Sequence, residues 1–134
     1  MKSLKKTLIL KSNLSEMNAL DSFLQAIFDE ISLGMEDQER VRLGMHEAVA
    51  NAIKHGNKLD EQKQVKICMM HLSSQLEFDV EDEGDGFNMD EVEDPLNPEN
   101  LLKASGRGIF LMHNFADEVI YSKGGTHIKL IYEL

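Results

Sequence analysis

The sequence predicts an α/β (α+β) two-layer sandwich: a mixed, mostly antiparallel sheet with helices on one face. Three observations point there. Two helical periods lie back to back between a first strand and a later hairpin. One strand, Leu76 to Glu81, alternates cleanly, with Leu76, Phe78 and Val80 on one side and Glu77, Asp79 and Glu81 on the other. The element order, β-α-α-β-β-loop-α-β-β, keeps the helices off one sheet face.

Taken in order, Lys5 to Lys11 reads as a strand through Thr7, Leu8, Ile9 and Leu10. Asn13 or Ser15 can cap a helix reaching about Ser32, whose apolar period is Leu20, Phe23, Leu24, Ile27, Phe28 and Ile31. Gly34 is expected to stop it. Asp37 is expected to cap the next helix, with Arg40 and Arg42 on its exposed side.

That second helix, centred on Val41 to Asn57, organises the chain. Val41, Met45, Ala48, Val49, Ala52 and Ile53 make one buried stripe. Glu47, Asn51 and His55 are four residues apart and form a row along the edge of the stripe. On its own such a row is either a solvated helix edge or a site that is dry but reachable. Gly56-Asn57 is expected to end the helix as an αL-tolerant pair.

A polar connection from Lys58 to Gln64 leads to strands Val65 to Leu72 and Leu76 to Glu81, joined at Ser73-Ser74-Gln75. If the alternation continues, Asp82 points to the core side. A carboxylate there is costly unless something donates a hydrogen bond to it. Gly84-Asp85-Gly86 makes a turn beside it. Asn88 to Ser105 is long, with Pro95, Pro98 and five acidic residues, and reads as a lid or as a solvated loop. A short helix from Ile109 to Phe115 and strands Glu118 to Ser122 and Thr126 to Tyr132 complete the chain.

At 134 residues the chain reads as one domain, 1–134. The net charge of -10 argues against nucleic acid and against an anionic membrane surface, but not against a nucleotide held by local dipoles. No apolar run is long enough to span a membrane. The single cysteine, Cys68, sits in an apolar run and is expected in the core, which fits a cytoplasmic setting without internal disulfides. Of the eight methionines, Met45, Met69 and Met112 read as core filler, while Met17, Met35 or Met89 could serve a partner surface.

Several motifs fail. HExxH would need a histidine where Ala50 stands, and His46 and His55 lie on opposite sides of the helix. Asp79 to Asp90 imitates a calcium loop, yet a strand leads into it and Asp90 stands where glutamate is needed. There is no P-loop. Gly106 and Gly108 at a helix start favour a phosphate, though this signal alone is weak.

Together the motifs carry a resemblance. E-x-x-x-N-x-x-x-H-G-N, as Glu47, Asn51, His55, Gly56 and Asn57, resembles the N-box of the Bergerat-fold ATPases. Asp82, Gly84 and Gly86 resemble their first glycine box, and Ser105, Gly106, Arg107, Gly108 and Ile109 the second. Gly125-Thr126 resembles the final Gly-Thr element. The pattern is most similar to bacterial anti-sigma factor serine kinases and covers almost the whole chain.

The resemblance implies ATP and Mg2+ as cofactors and a lid at about residues 88–106. It implies that Asp82 accepts from the adenine amino group, helped by Thr126, and that Asn51 binds magnesium. It places Gly106 and Gly108 at the phosphates, and His55, Gly84, Gly86, Ser105 and Arg107 around the nucleotide. Glu47 becomes the base for an attacking serine hydroxyl. It implies a homodimer that phosphorylates a small anti-sigma factor antagonist and sequesters a sigma factor. One position departs: Ala104 stands where the sporulation kinase pattern has an arginine, so a non-catalytic ATP-binding switch is the alternative. A histidine-kinase catalytic domain fits less well, because the first strand is not preceded by a helix bearing a phosphoacceptor histidine.

Overall fold

A computed structural model describes residues 3–84, 115–122 and 126–134. Five strands form one sheet: β1 (Leu4–Lys11), β2 (Gln64–Leu72), β3 (Gln75–Glu81), β4 (Glu118–Ser122) and β5 (His127–Glu133). Their order across the sheet is β1-β2-β3-β5-β4. Every pairing among the described residues is antiparallel, so the expected mixed component is not seen there. Helices α1 (Met17–Glu30) and α2 (Met35–Asn51) lie between β1 and β2 in the chain and pack on one sheet face.

Strand parity decides the core. Leu10, Val65, Ile67, Met69, Leu76, Phe78, Val80, Ile128, Leu130 and Tyr132 face Leu20, Leu24, Ile27 and Phe28 of α1 and Val41, Met45, Ala48 and Val49 of α2. Cys68 falls on the other face. Ile67 and Met69 take the core positions, and Cys68 is a half-exposed neighbour of Thr7 and Asp79. The core expectation for it was wrong by one residue of parity. Met45 and Met69 are buried, and Met35 is 75% exposed at the start of α2.

The helix boundaries decide between two expected caps and correct two further expectations. Asn13 is the first cap: its side chain accepts from Ser15 N at 2.9 Å and starts a single 3-10 turn, Leu14–Glu16, that runs into α1. Gly34 does not stop α1. Ser32 does, at φ 53°, with Leu33 N bonded to Phe28 O and Ser32 N to Asp29 O, a Schellman ending with serine in the left-handed place. Gly34 instead caps α2 in an extended conformation, and Asp37 lies inside the first turn rather than at the cap.

Arg40 is also not a solvated residue. Its guanidinium donates to Asp117 Oδ2 (2.8 Å), Phe115 O (3.2 Å), Glu133 O (2.8 Å) and Asp37 Oδ1 (3.3 Å), and it stacks over the Tyr132 ring. It ties the start of α2 to the end of β5 and to the entry into β4.

Gly44 marks the tightest helix-to-sheet approach. A methyl there would overlap the Tyr132 hydroxyl, which is buried and has no hydrogen-bond partner among the described residues. Gly44→Ala should therefore destabilise the fold by roughly 1–3 kcal/mol, despite gaining about 1 kcal/mol in helix propensity. Tyr132→Phe should be neutral or stabilising, because it removes an unpartnered buried hydroxyl. In that background Gly44→Ala should become close to neutral. Urea unfolding of the two single variants and the double variant measures the coupling. Strictly additive effects would mean that the hydroxyl is not the obstacle.

Candidate functional site

The site gathers where α2 ends beside the ends of β3 and β5. The helix does not end as an ordinary α-helix. Ala52–Gly56 forms a π turn, and Asn57 N donates to Ala52 O at 2.8 Å. Inserted π turns of this kind recur at functional sites. The left-handed residues are not Gly56-Asn57 but the two that follow, Lys58 at φ 53° and Leu59 at φ 61°. Gly56 is required for another reason, which is space.

A Cβ at Gly56 would collide with the carboxylate of Asp82, and a Cβ at Gly84 would collide with the carbonyl of Gly56. Asp82 thus lies directly over the helix end, with its carboxylate between two glycines. Its Oδ1 accepts from Gly84 N at 2.8 Å, and its own N–H donates to Thr126 O at 2.9 Å. This half-buried carboxyl is pushed above its ordinary pKa first by burial, with Glu81 adding to the shift. The Gly84 N–H and Lys63 pull the other way without offsetting it. The result is an acceptor in a partly dry cradle, lined by backbone and by two residues without side chains.

Glu47 and Asn51 sit on α2 at the edge of the core, both half-buried. Among the described residues neither side chain has a hydrogen-bonding partner. His55, in the π turn, is exposed. His46 points elsewhere and pairs with Asp21 of α1 at 2.5 Å. Among the described residues no cluster of three or more His, Cys, Asp or Glu side chains is placed to hold a metal alone. The structure brings Asp82, Gly84 and Thr126 together with Gly56. Gly86, Ser105, Gly106, Arg107, Gly108 and Ala104, the lid at 88–106, and the helix before Phe115 lie outside the described residues.

Asn57 was read from the sequence as a helix stop and as the last residue of the N-box pattern, without a role of its own, and it does more. It is 1% exposed, and its carboxamide is fully used. Nδ2 donates to Ser12 Oγ (2.8 Å) and Gln64 O (3.0 Å), and Oδ1 accepts from Glu83 N (2.8 Å). Ser12 in turn donates to Lys63 O at 2.8 Å. The sequence signal was an asparagine after a helix-ending glycine, but its partners at 12, 64 and 83 are too distant in the chain for a local reading to supply.

The fold agrees with the comparisons. A family model described as the histidine kinase-like ATPase domain matches residues 10–132. The chain is 27% identical over 116 residues to the serine-protein kinase RsbW of Staphylococcus epidermidis, covering 81% of this chain and 73% of that one. It is 29% identical over 117 residues to RsbW of Staphylococcus aureus, covering 80% and 72%. The solved structure of the RsbU and RsbW domains of Rv1364c from Mycobacterium tuberculosis shares the fold, with a TM-score of 0.69 at 16% identity. That match covers 98% of this chain and 32% of the longer one, so the likeness concerns one part of that protein. Among the described residues no helix is long and apolar enough to cross a membrane. With nearly its whole length matched, the chain belongs to the histidine kinase-like ATPase domain family.

Proposed function

We propose that this chain is an ATP- and Mg2+-dependent serine protein kinase that phosphorylates a small anti-sigma factor antagonist and sequesters a sigma factor. The observation that carries the nucleotide half is Asp82. A partly desolvated carboxylate held over Gly56 fits a ligand that donates a hydrogen bond in the plane of a flat ring, as the adenine amino group does. A guanine carbonyl at that place would face the carboxylate oxygen to oxygen. Gly56 and Gly84 let the helix end, the Asp82 carboxylate and the turn after β3 pack this closely together.

The kinase half rests on α2 and on the similarity to serine-protein kinases. When bound, MgATP supplies the phosphoryl group. Asn51 offers one amide oxygen toward the cation, and Glu47, four residues earlier on the helix, takes the proton of the incoming serine hydroxyl. Positioning and electrostatics carry most of such a reaction. The partners, a homodimeric state and a cytoplasmic location belong to the same reading. The second reading, a switch that binds ATP without transferring phosphate, is favoured by one sequence observation, Ala104 in place of the family arginine.

The test is thermal unfolding with and without MgATP. Ligand at a hundredfold over its Kd should add about 2.7 kcal/mol. Asp82→Asn should remove most of that gain. The same variant should be more stable than the parent without nucleotide. A carboxyl whose folded pKa is raised binds protons more readily when folded, so its contribution to stability falls as pH rises from the unfolded value through the folded one. Asparagine lacks that penalty at neutral pH. An unchanged ATP response in Asp82→Asn would take Asp82 out of the pocket.

A further inference from the structure

We infer that Asn57 is a positioning residue: its carboxamide is wedged into the end of the β2–β3 ladder, and by splaying the two strands it sets Asp82 for purine selection. The specificity role rests on the nucleotide reading above; the wedge itself does not.

The register shows the wedge. β2 and β3 pair from Leu72–Gln75, which closes a two-residue turn, back to Lys66–Glu81. Hydrogen-bonded pairs in an antiparallel ladder recur every second residue, so the next pair in the series would be Gln64 with Glu83. That pair does not close on itself. The Glu83 N–H goes to Asn57 Oδ1 at 2.8 Å, and the Gln64 carbonyl accepts from Asn57 Nδ2 at 3.0 Å. One side-chain amide is thus inserted into a single backbone bond, Glu83 N–H to Gln64 C=O, and replaces it with two, donor facing acceptor on both sides. The remaining Gln64 N–H is taken by the Glu83 carboxylate. The second Nδ2 hydrogen goes to Ser12, which fixes which way round the carboxamide sits.

The consequence falls on Asp82, which is held through the peptides on either side of it. On its β5 side, Asp82 N is held by Thr126 O; on its β2 side, Glu83 N is held by Asn57. Asp82 is therefore pinned on both flanks just past the last ladder pair, where a strand end would otherwise fray. Asn57 also directly follows Gly56, over which the Asp82 carboxylate lies. One residue thereby sets both the carboxylate and the surface beneath it.

A merely structural asparagine would change stability alone, and a positioning one must also change which purine is chosen. A pocket built around a polar contact rejects the analogue that cannot make it, and that discrimination depends on geometry. Asn57→Ala should lower the ratio of ATP to GTP affinity by about tenfold, measured with Mg2+ at a temperature where the variant is folded. Ser12→Ala, which only frees the carboxamide to turn, should lower it by roughly threefold, and it serves if Asn57→Ala does not fold. Leu24→Ala, a core truncation on α1, should lose stability and keep the ratio. A ratio unchanged in both site variants would overturn the specificity role.

The second arm uses no nucleotide. In the free protein the Glu83 amide should exchange with solvent at least tenfold faster in Asn57→Ala, or in Ser12→Ala to a lesser degree, than in the parent. Equal protection would overturn the wedge. A parent protein that binds GTP as well as ATP would instead remove the adenine reading of Asp82, while the exchange result would still decide the wedge.

Discussion

Glu47→Gln should leave MgATP binding within a fewfold of the parent and lower phosphotransfer to a cognate antagonist by roughly 10²–10⁴-fold, the range that a positioned general base supplies. The amide keeps the size of the side chain and cannot take a proton at neutral pH. Glu47 is half-buried on α2, with Met45, Ala48 and Val49 buried beside it, and its carboxylate has no partner among the described residues. Truncating its acceptor function therefore breaks no internal bond, and stability should stay within about 0.5 kcal/mol. Single-turnover phosphotransfer from labelled ATP, alongside nucleotide titration, separates the two effects. Transfer at the parental rate would mean that the serine proton leaves by another route. Loss of ATP binding would mean that Glu47 is part of the nucleotide cradle.

Arg40→Ala should destabilise the fold by about 2 kcal/mol. The guanidinium joins four acceptors on three separate segments and stacks on Tyr132, while remaining about a quarter exposed. Solvent screening reduces each ion pair, so most of the loss comes from the carbonyls of Phe115 and Glu133 and from the stacking. Arg40→Lys keeps the charge without the fork and should recover less than half of it. The pH dependence carries a second signature. Asp117 is held below the ordinary carboxylate range, chiefly by its hydrogen bond from Arg40 and then by the Glu133 N–H. A depressed carboxyl contributes stability above its unfolded pKa, and that contribution is lost as pH falls through the folded value. The gap between parent and Arg40→Ala should therefore narrow as pH falls below about 4. A gap constant over the acid range would mean that Asp117 draws its shift from elsewhere.

Much of the architecture was legible because it rests on period and parity. The α2 stripe, the β3 alternation and the inward turn of Asp82 each follow from local spacing. Cys68 was misplaced because β2 is apolar on both faces in its middle, Cys68-Met69-Met70, and parity has to be counted from Val65 to settle it. Gly34 was misread because a glycine between two helices suits the end of one and the start of the next equally well. Ser32 in the left-handed conformation leaves no compositional trace. The π turn shifts a hydrogen bond by one residue without changing the hydrophobic pattern. The site followed the same rule. Asp82 was recognisable as a carboxylate out of place, and Glu47 and Asn51 as a row at a core edge. Asn57 was not, since its importance lies in three partners that only the folded sheet brings near.

The antiparallel register of β1 with β2 has a consequence for the order in which this molecule assembles. Leu4 pairs with His71 and Lys11 with Gln64, so β1 closes over both helices, whereas β2 and β3 are joined by two residues. Hairpin and helix contacts are local and early, while closing such a long loop costs more chain entropy and comes later. Ser12 directly follows β1 and supplies the bond that orients the Asn57 carboxamide. The nucleotide cradle is therefore expected to reach its working geometry in the last step of folding, after β1 has docked. Partly folded chains would then carry a core and a hairpin but no selective pocket, and purine discrimination would mark the completed fold.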